Sequence, residues 1–256
     1  LAEDLRSAML GGQLHLHYQP IHETRSGGIA AVEALLRWTH KQRGRIAPGA
    51  FIPAAEESGI IVPVGKWALR QACAEAASWQ VPAILSVNIS PVQFSDPGIV
   101  ATVAAILAES GLAPRRLLLE ITEGLQLAVC DGVRETLDGL RALGVTIALD
   151  DFGTGYANLS RLRDLPFDVV KIDRSFLEPA EIAGSPLDML TPLVAFARAF
   201  APKIVMEGVE TEEQLAIVQE LGCDWVQGFH LNQPMPPDML RQILRTRQTA
   251  EALLLL

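Results

Sequence analysis

The chain has 256 residues, 49% of them hydrophobic and 20% charged, which excludes a disordered polymer and allows one large core or two small ones. Against 21 Lys and Arg stand 30 Asp and Glu, a formal charge of -9, so a broad basic surface for polymeric nucleic acid is excluded. No apolar run approaches the ~20 residues of a membrane span, no signal pattern opens the chain, and three scattered cysteines (Cys73, Cys130, Cys223) point to a reducing cytoplasm rather than a disulfide scaffold.

The opening LAEDLRSAML reads as an amphipathic helix; it begins on Leu, so a piece cut from a longer protein is expected. Eight short apolar runs follow: LHLHY (14–18), GIAAVEALL (28–36), ILSVNIS (84–90), LLLEIT (117–122), VTIALD (145–150), DVVKID (168–173), KIVMEG (203–208) and DWVQGF (224–229). Several are almost continuously apolar, as strands buried on both faces are. Only QPIHETRSG separates the first two, which predicts a hairpin and an antiparallel first strand. Helical spacing marks 62–79, then 131–144, where Val133, Leu137 and Leu140 share a face and Gly144 closes the helix. GSPLDM (184–189) reads as a loop, and Thr191 before Pro192 as the start of a helix through LVAFARAF. In 211–222, Thr211 and Gln214 form a capping box, Leu215, Val218 and Leu221 face inward, and Gly222 follows. The alternation predicts a (β/α)8-like barrel, with an open doubly wound sheet as the alternative.

Polar residues recur where these strands end: Glu33 within the second run, then Asn88, Glu120, Asp150 with Asp151, Lys171 with Asp173, Glu207 and Gln227. A barrel site is built at the C-terminal ends of its strands. Any one such acid is more often solvated or capping; their regular recurrence in apolar surroundings argues for one shared mouth. Adjacent Asp150 and Asp151 need solvent, a proton or a cation. Carboxylates and an Asn are hard oxygen donors that suit Mg²⁺, Mn²⁺ or Ca²⁺, and His15 and His17 have no second His/Cys cluster to make a zinc site. Two divalent ions about 3.5–4 Å apart can activate water and stabilise a phosphoryl oxygen. Lys171 suits a polarised water or a phosphate, and equally a salt bridge to the acids. Gly153 and Gly155 of DFGTG supply special dihedrals just after the acids.

The motifs EALLRW (33–38), SVNIS around Asn88, LEITE (119–123), DDFGTGY (150–156), VKID (170–173), EGVET (207–211) and QGF (227–229) resemble, in order and over nearly the whole chain, the EAL domain family. The resemblance implies a single EAL domain over 1–256, a modified TIM barrel with its first strand antiparallel. It implies a cytoplasmic, metal-dependent phosphodiesterase cleaving cyclic di-GMP to linear pGpG, with two Mg²⁺ or Mn²⁺ ions and inhibition by Ca²⁺. Carried over by motif, Glu33, Asn88, Glu120 and Asp150 hold one metal, Asp150 bridges to the second, and Asp151 lies beside it. Glu207 and Gln227 hold metal-bound water, Lys171 contacts the attacking water, and Glu123 steadies the DFGTG loop. Gln19, Leu36, Arg37, Asp173 and Glu210 lie where substrate is approached or supported. Homodimers and covalently linked regulatory domains are common in the family.

Ala157, Asn158, Met206, Asn232 and Gln233 depart from the usual residues, leaving the acid set complete. Two other functions compete: a silent cyclic di-GMP receptor, and a phosphodiesterase acting on another nucleotide, because metal chemistry reads phosphate more than base.

Overall fold

The protein is described from a computed structural model covering residues 2–122, 132–154, 165–177 and 186–254. Helix α1 (Ala2–Leu10) leads into strands β1 (Leu14–Glu23), β2 (Ile29–His40) and the short β3 (Gly44–Ile46). Helices α2 (Pro48–Glu57) and α3 (Ile61–Ala77) precede β4 (Ile84–Asn88); α4 (Pro91–Phe94) and α5 (Ile99–Ser110) precede β5 (Leu117–Thr122). Then come α6 (Gly132–Ala142), β6 (Thr146–Phe152), β7 (Val169–Ile172), α7 (Pro186–Ala197), β8 (Lys203–Met206), α8 (Glu212–Glu220), β9 (Trp225–Val226) and α9 (Pro237–Leu254).

The strands run in the order β1-β9-β8-β7-β6-β5-β4-β2-β3, and β1 also pairs with β2, so the sheet closes on itself. From β2 through β4 to β9 the barrel pairings are parallel; β1 is antiparallel to both of its neighbours, β2 and β9. Closure decides against the open sheet. The hairpin expected of the first connection is present: Glu23 N–H donates to the Gly28 carbonyl, and Gly27 N–H to that of Glu23. All eight expected runs carry strands; β3, a three-residue extension of the β2 edge, was not foreseen.

Alternation along the strands divides the core in two. One face of each strand packs outward against the helices in the main cluster, which contains Leu16, Tyr18, Val32, Leu85, Leu119, Ile147, Val170, Ile204 and Met206. The bulk of Met206 is absorbed there. The opposite face fills the barrel with an apolar plug of Ile21, Ala31, Leu118, Ala148, Val169, Val205 and Trp225. Side chains two residues apart share a face, so the next inward layer is fixed by counting.

Two readings of the C-terminal half need correction. Helix α7 starts at Pro186, inside the segment read as a loop, and runs through Pro192 rather than beginning there. Proline is well placed in a first turn. Pro192 removes one helical N–H, a cost of about 3 kcal/mol. Burial of Leu190, Val194 and Ala197 against the barrel offsets it. Helix α8 is capped as expected: Thr211 Oγ1 accepts from Gln214 N–H, and the Gln214 side chain accepts from the Thr211 N–H.

Candidate active site

Two residues up each strand from the plug stand Glu33 above Ala31, Glu120 above Leu118, Asp150 above Ala148, Lys171 above Val169, Glu207 above Val205 and Gln227 above Trp225. On antiparallel β1 the count reverses, and Gln19 stands above Ile21. One polar ring therefore rests directly on one apolar ring, and strand periodicity alone converts scattered strand-end residues into a site.

Lys171 is its centre, at 1% exposure. Its Nζ lies 2.5 Å from Glu207 Oε1, 3.0 Å from Glu120 Oε2, 3.3 Å from Asp150 Oδ1 and 3.8 Å from Glu33 Oε2. Burial works against its charge, yet Asp150, Glu120, Glu207 and Glu33 together hold its pKa well above the ordinary lysine value. Of the two sequence readings for Lys171, the salt bridge to the acids is present, at the centre of the mouth.

The acids are unequal. Burial is resisted at Glu33 by Lys171 and by two amides, Gln227 Nε2 at 2.7 Å and Asn88 Nδ2 at 2.7 Å, which together hold its pKa below the ordinary value. Glu120 is fully buried, and burial plus repulsion from Glu33, Asp150 and Glu207 drives its pKa well upward despite Lys171. Ser86 Oγ donates to Glu120 Oε1 at 2.6 Å. Burial also pushes Glu207 up to about 8, with Lys171 opposing and Asp150 and Glu33 reinforcing. Asp151 rises to about 6, from burial first and then repulsion by Asp150 and Asp173.

Asp150 and Asp151 share the mouth because β6 is irregular there. Regular alternation would send adjacent side chains to opposite faces. Instead the β6–β7 register shifts between Leu149 and Phe152, and Asp151 adopts φ 56°, the left-handed region that Asp tolerates better than most residues. The Asp151 carbonyl accepts from Thr154 N–H at 3.2 Å and from Thr154 Oγ1 at 2.9 Å. The irregularity brings carboxylate oxygens of Asp150, Asp151 and Glu207 within 4.8 Å of one another.

Several buried oxygens in this layer lack hydrogen-bond partners: Glu120 Oε2, Asp150 Oδ1 and Gln227 Oε1. The first two have only the Coulombic company of Lys171. Buried polar atoms left over in a ring of hard oxygen donors fit a divalent cation. The acidic triad is able to coordinate one.

The acidic pocket, about 230 Å³, is lined by Gln19, Glu33, Asp150, Lys171, Glu207, Glu210 and Gln227, with Arg174, Gly208 and Phe229. Beside it, a larger and more apolar pocket of about 480 Å³ is lined by Leu36, Arg37, Asn88, Ile52, Val64 and Pro91 among others. Asn88 and Glu33, joined by their hydrogen bond, form the wall between the two. The Arg37 guanidinium donates to the Leu36 carbonyl at 3.0 Å and has no salt-bridge partner among the described residues. Asp173 is used locally: its Oδ1 accepts from Ser175 N–H at 3.0 Å. Glu123 lies outside the described residues, as do Gly155, Ala157 and Asn158.

Sequence reading missed Ser86, Arg174 and Phe229. Ser86 stands two residues before Asn88 on the same strand face, a parity that would have marked it. Arg174 directly follows VKID, but a lone cation after a strand carries little signal. Phe229 was read only as part of the QGF motif, and its ring is exposed at the pocket. Close backbone approach explains two glycines: a Cβ on Gly228 would lie 2.0 Å from the Val209 carbonyl oxygen, and one on Gly208 would meet Arg174.

This architecture defines a modified (β/α)8 barrel with an acid-lined, cation-competent mouth. The chain belongs to the EAL domain family, whose sequence model, described as "EAL domain", matches residues 2–234. The bifunctional diguanylate cyclase/cyclic di-GMP phosphodiesterase MucR of Pseudomonas aeruginosa is 42% identical over 244 residues, covering 94% of this chain and 36% of that protein. The solved PaMucR phosphodiesterase in complex with c-di-GMP superposes with a TM-score of 0.86 at 42% identity, covering 93% of this chain and 98% of that one. The FimX EAL domain from Pseudomonas aeruginosa bound to c-di-GMP gives 0.82 at 25% identity, covering 91% and 95%. The chain spans about a third of the length of the first curated relatives it matches. Among the described residues, no helix is long and apolar enough to cross a membrane.

Proposed function

We propose that this domain is a metal-dependent phosphodiesterase that hydrolyses cyclic di-GMP to linear pGpG. The carrying observation is the polar ring itself: three buried oxygens without hydrogen bonds and the Asp150–Asp151–Glu207 triad gather around one lysine, with a larger, more apolar pocket of about 480 Å³ also present. Likeness to MucR and to the c-di-GMP-bound structures supports the substrate.

In this reading Glu33, Asn88, Glu120 and Asp150 hold one Mg²⁺ or Mn²⁺, and Asp150 and Asp151 hold a second. When bound, such ions polarise a phosphoryl oxygen and lower the pKa of water. The chain's own residues do the rest. Glu207 and Gln227 orient water. Lys171 neutralises the acids in the metal-free protein and holds the attacking water in the loaded one. Glu123 braces the loop after Asp151. Arg37, with no carboxylate in salt-bridge range among the described residues, takes a substrate phosphate as a charge-assisted donor. Leu36 lines the pocket that receives a base, and Gln19, Glu210 and Asp173 border or support the bound dinucleotide. Ca²⁺ supports binding with little turnover, because its looser coordination places water less strictly. The much greater length of its signalling relatives supports a cytoplasmic module within a longer protein.

Product analysis after incubation with cyclic di-GMP and Mg²⁺ tests the reading. Linear pGpG is expected. Binding without turnover would make the domain a receptor, and cleavage of other cyclic dinucleotides at equal rate would remove the base specificity.

A further inference from the structure

Gln227 is 4% exposed, and its Nε2 donates both to Glu33 Oε2 at 2.7 Å and to Gln19 Oε1 at 3.2 Å. With both bonds made from nitrogen, its Oε1 is left without a hydrogen-bond partner. A half-turn of that amide would place oxygen against the Glu33 carboxylate, so Glu33 fixes it from one side and the orientation of Gln19 from the other. Gln19 Nε2 donates to the Asn232 carbonyl at 2.9 Å, which obliges its Oε1 to face Gln227.

Asn232 is itself held by a buried histidine. His22, on β1, is 2% exposed; Nδ1 lies 3.1 Å from the Gly27 carbonyl and Nε2 lies 2.8 Å from the Asn232 carboxamide. The Gly27 carbonyl takes the Nδ1 proton. Nε2 faces the Asn232 Oδ1, so the ring spans a backbone carbonyl on one side and a side-chain oxygen on the other. The segment after β9 is thus tied to β1 at two places, by this side-chain clasp and by the reciprocal backbone bonds of Tyr18 and Met235. Between them the Asn232 carbonyl is fixed over Gln19.

We infer that His22 and Asn232 are positioning residues which, through Gln19, help lock the Gln227 carboxamide with its nitrogen on Glu33 and Gln19 and its oxygen left over. They touch neither substrate nor reacting atoms. They set which end of an amide the site presents to a cation or its water. The inference rests on the phosphodiesterase reading for its consequence, but its first readout is metal binding alone.

The test uses the whole chain, with His22→Val, Asn232→Ala, the double variant and His22→Gln. Mn²⁺ titrated by calorimetry without substrate is expected to bind about tenfold more weakly to either single variant, the low end of what outer-shell partners of metal ligands contribute. In hydrolysis, kcat falls at fixed Mg²⁺ while KM for cyclic di-GMP stays within about twofold. The double variant should be no worse than the worse single, because both act along one chain. His22→Gln, which keeps a donor and an acceptor, should recover most of the loss. If His22→Val does not fold, Asn232→Ser on the half-buried loop carries the same measurement. A parent that binds no Mn²⁺ overturns both readings. A parent that binds and hydrolyses, with variants lower in Tm but equal in Mn²⁺ affinity and kcat, makes the pair purely structural and overturns this inference alone.

Discussion

Replacing Lys171 with Met keeps an unbranched stem of similar volume and deletes the charge at the centre of four carboxylates. In the metal-free protein Glu33, Glu120, Asp150 and Glu207 would then repel across a few ångströms with no counterion. Removing one partner of a buried ion pair costs about 3–5 kcal/mol, because the remaining charge is left desolvated. For a domain of this size that corresponds to a drop in Tm on the order of 10 °C. The deficit should be largest at pH 8 and shrink at pH 5.5, where Glu120 and Glu207, already raised toward neutrality, take up protons. Added Mn²⁺ should replace the lost charge: at a hundredfold excess over Kd, selective binding to the native state returns about 2.7 kcal/mol. The assay is urea unfolding of parent and Lys171→Met with EDTA or Mn²⁺ at both pH values. If the metal-free variant unfolded at the parent's urea midpoint at pH 8, the view of Lys171 as the internal counterion would be wrong.

Glu33→Ala should abolish turnover while leaving circular dichroism and Tm near the parent's, since Gln227 and Asn88 sit close enough to the pocket to recruit water; parent-level activity at saturating metal would remove Glu33 from the site. The raised acids also set a pH dependence. Between their ordinary values and about 6 for Asp151 or about 8 for Glu207, the native protein binds more protons than the unfolded chain, so this contribution to metal-free stability falls as pH rises through that window. Urea midpoints measured with EDTA from pH 5.5 to 8.5 should decline, Glu207→Gln should flatten the decline, and a rising profile would contradict the assignment. Gly228→Ala drives a methyl into the Val209 backbone and should cost at least the 1–3 kcal/mol typical of overpacking, read as a lower Tm; an unchanged Tm would mean that the strand end gives way freely.

The architecture was legible because its strands are nearly pure apolar runs, and because the nine-residue gap after Tyr18 is too short for a crossover. Glu33, Glu120, Asp150, Lys171 and Glu207 were legible as strand-end polar residues. Their convergence on one mouth was legible too; that they rest two residues above an apolar plug was not, because inward and outward parity depends on where each strand begins. Ala31 and Val205 look no different from outward neighbours until the barrel closes. The partnership of Asp150 and Asp151 was expected, but not its backbone route: adjacent residues face one way only if the strand bulges, and nothing in DDF announces a φ of 56°. Thr191-Pro192 misled because a local capping signal competed with the burial of Leu190, Val194 and Ala197 on a longer helix, and burial won.

The antiparallel first strand also has a consequence for synthesis. Gln19 meets Gln227 across 208 residues, and Gln227 meets Glu33 across 194. A ribosome releases the amino-terminal half of this mouth long before the other half exists. Contacts of such separation are slow to form, since the loop entropy must be overcome before they contribute. A nascent chain halted before residue 225 would carry most of the acids but neither the closing strand nor the amide that restrains Glu33. Pulse-labelled intermediates should therefore acquire helices early and cation affinity last. On this count the pocket is completed only with the final turn of the barrel.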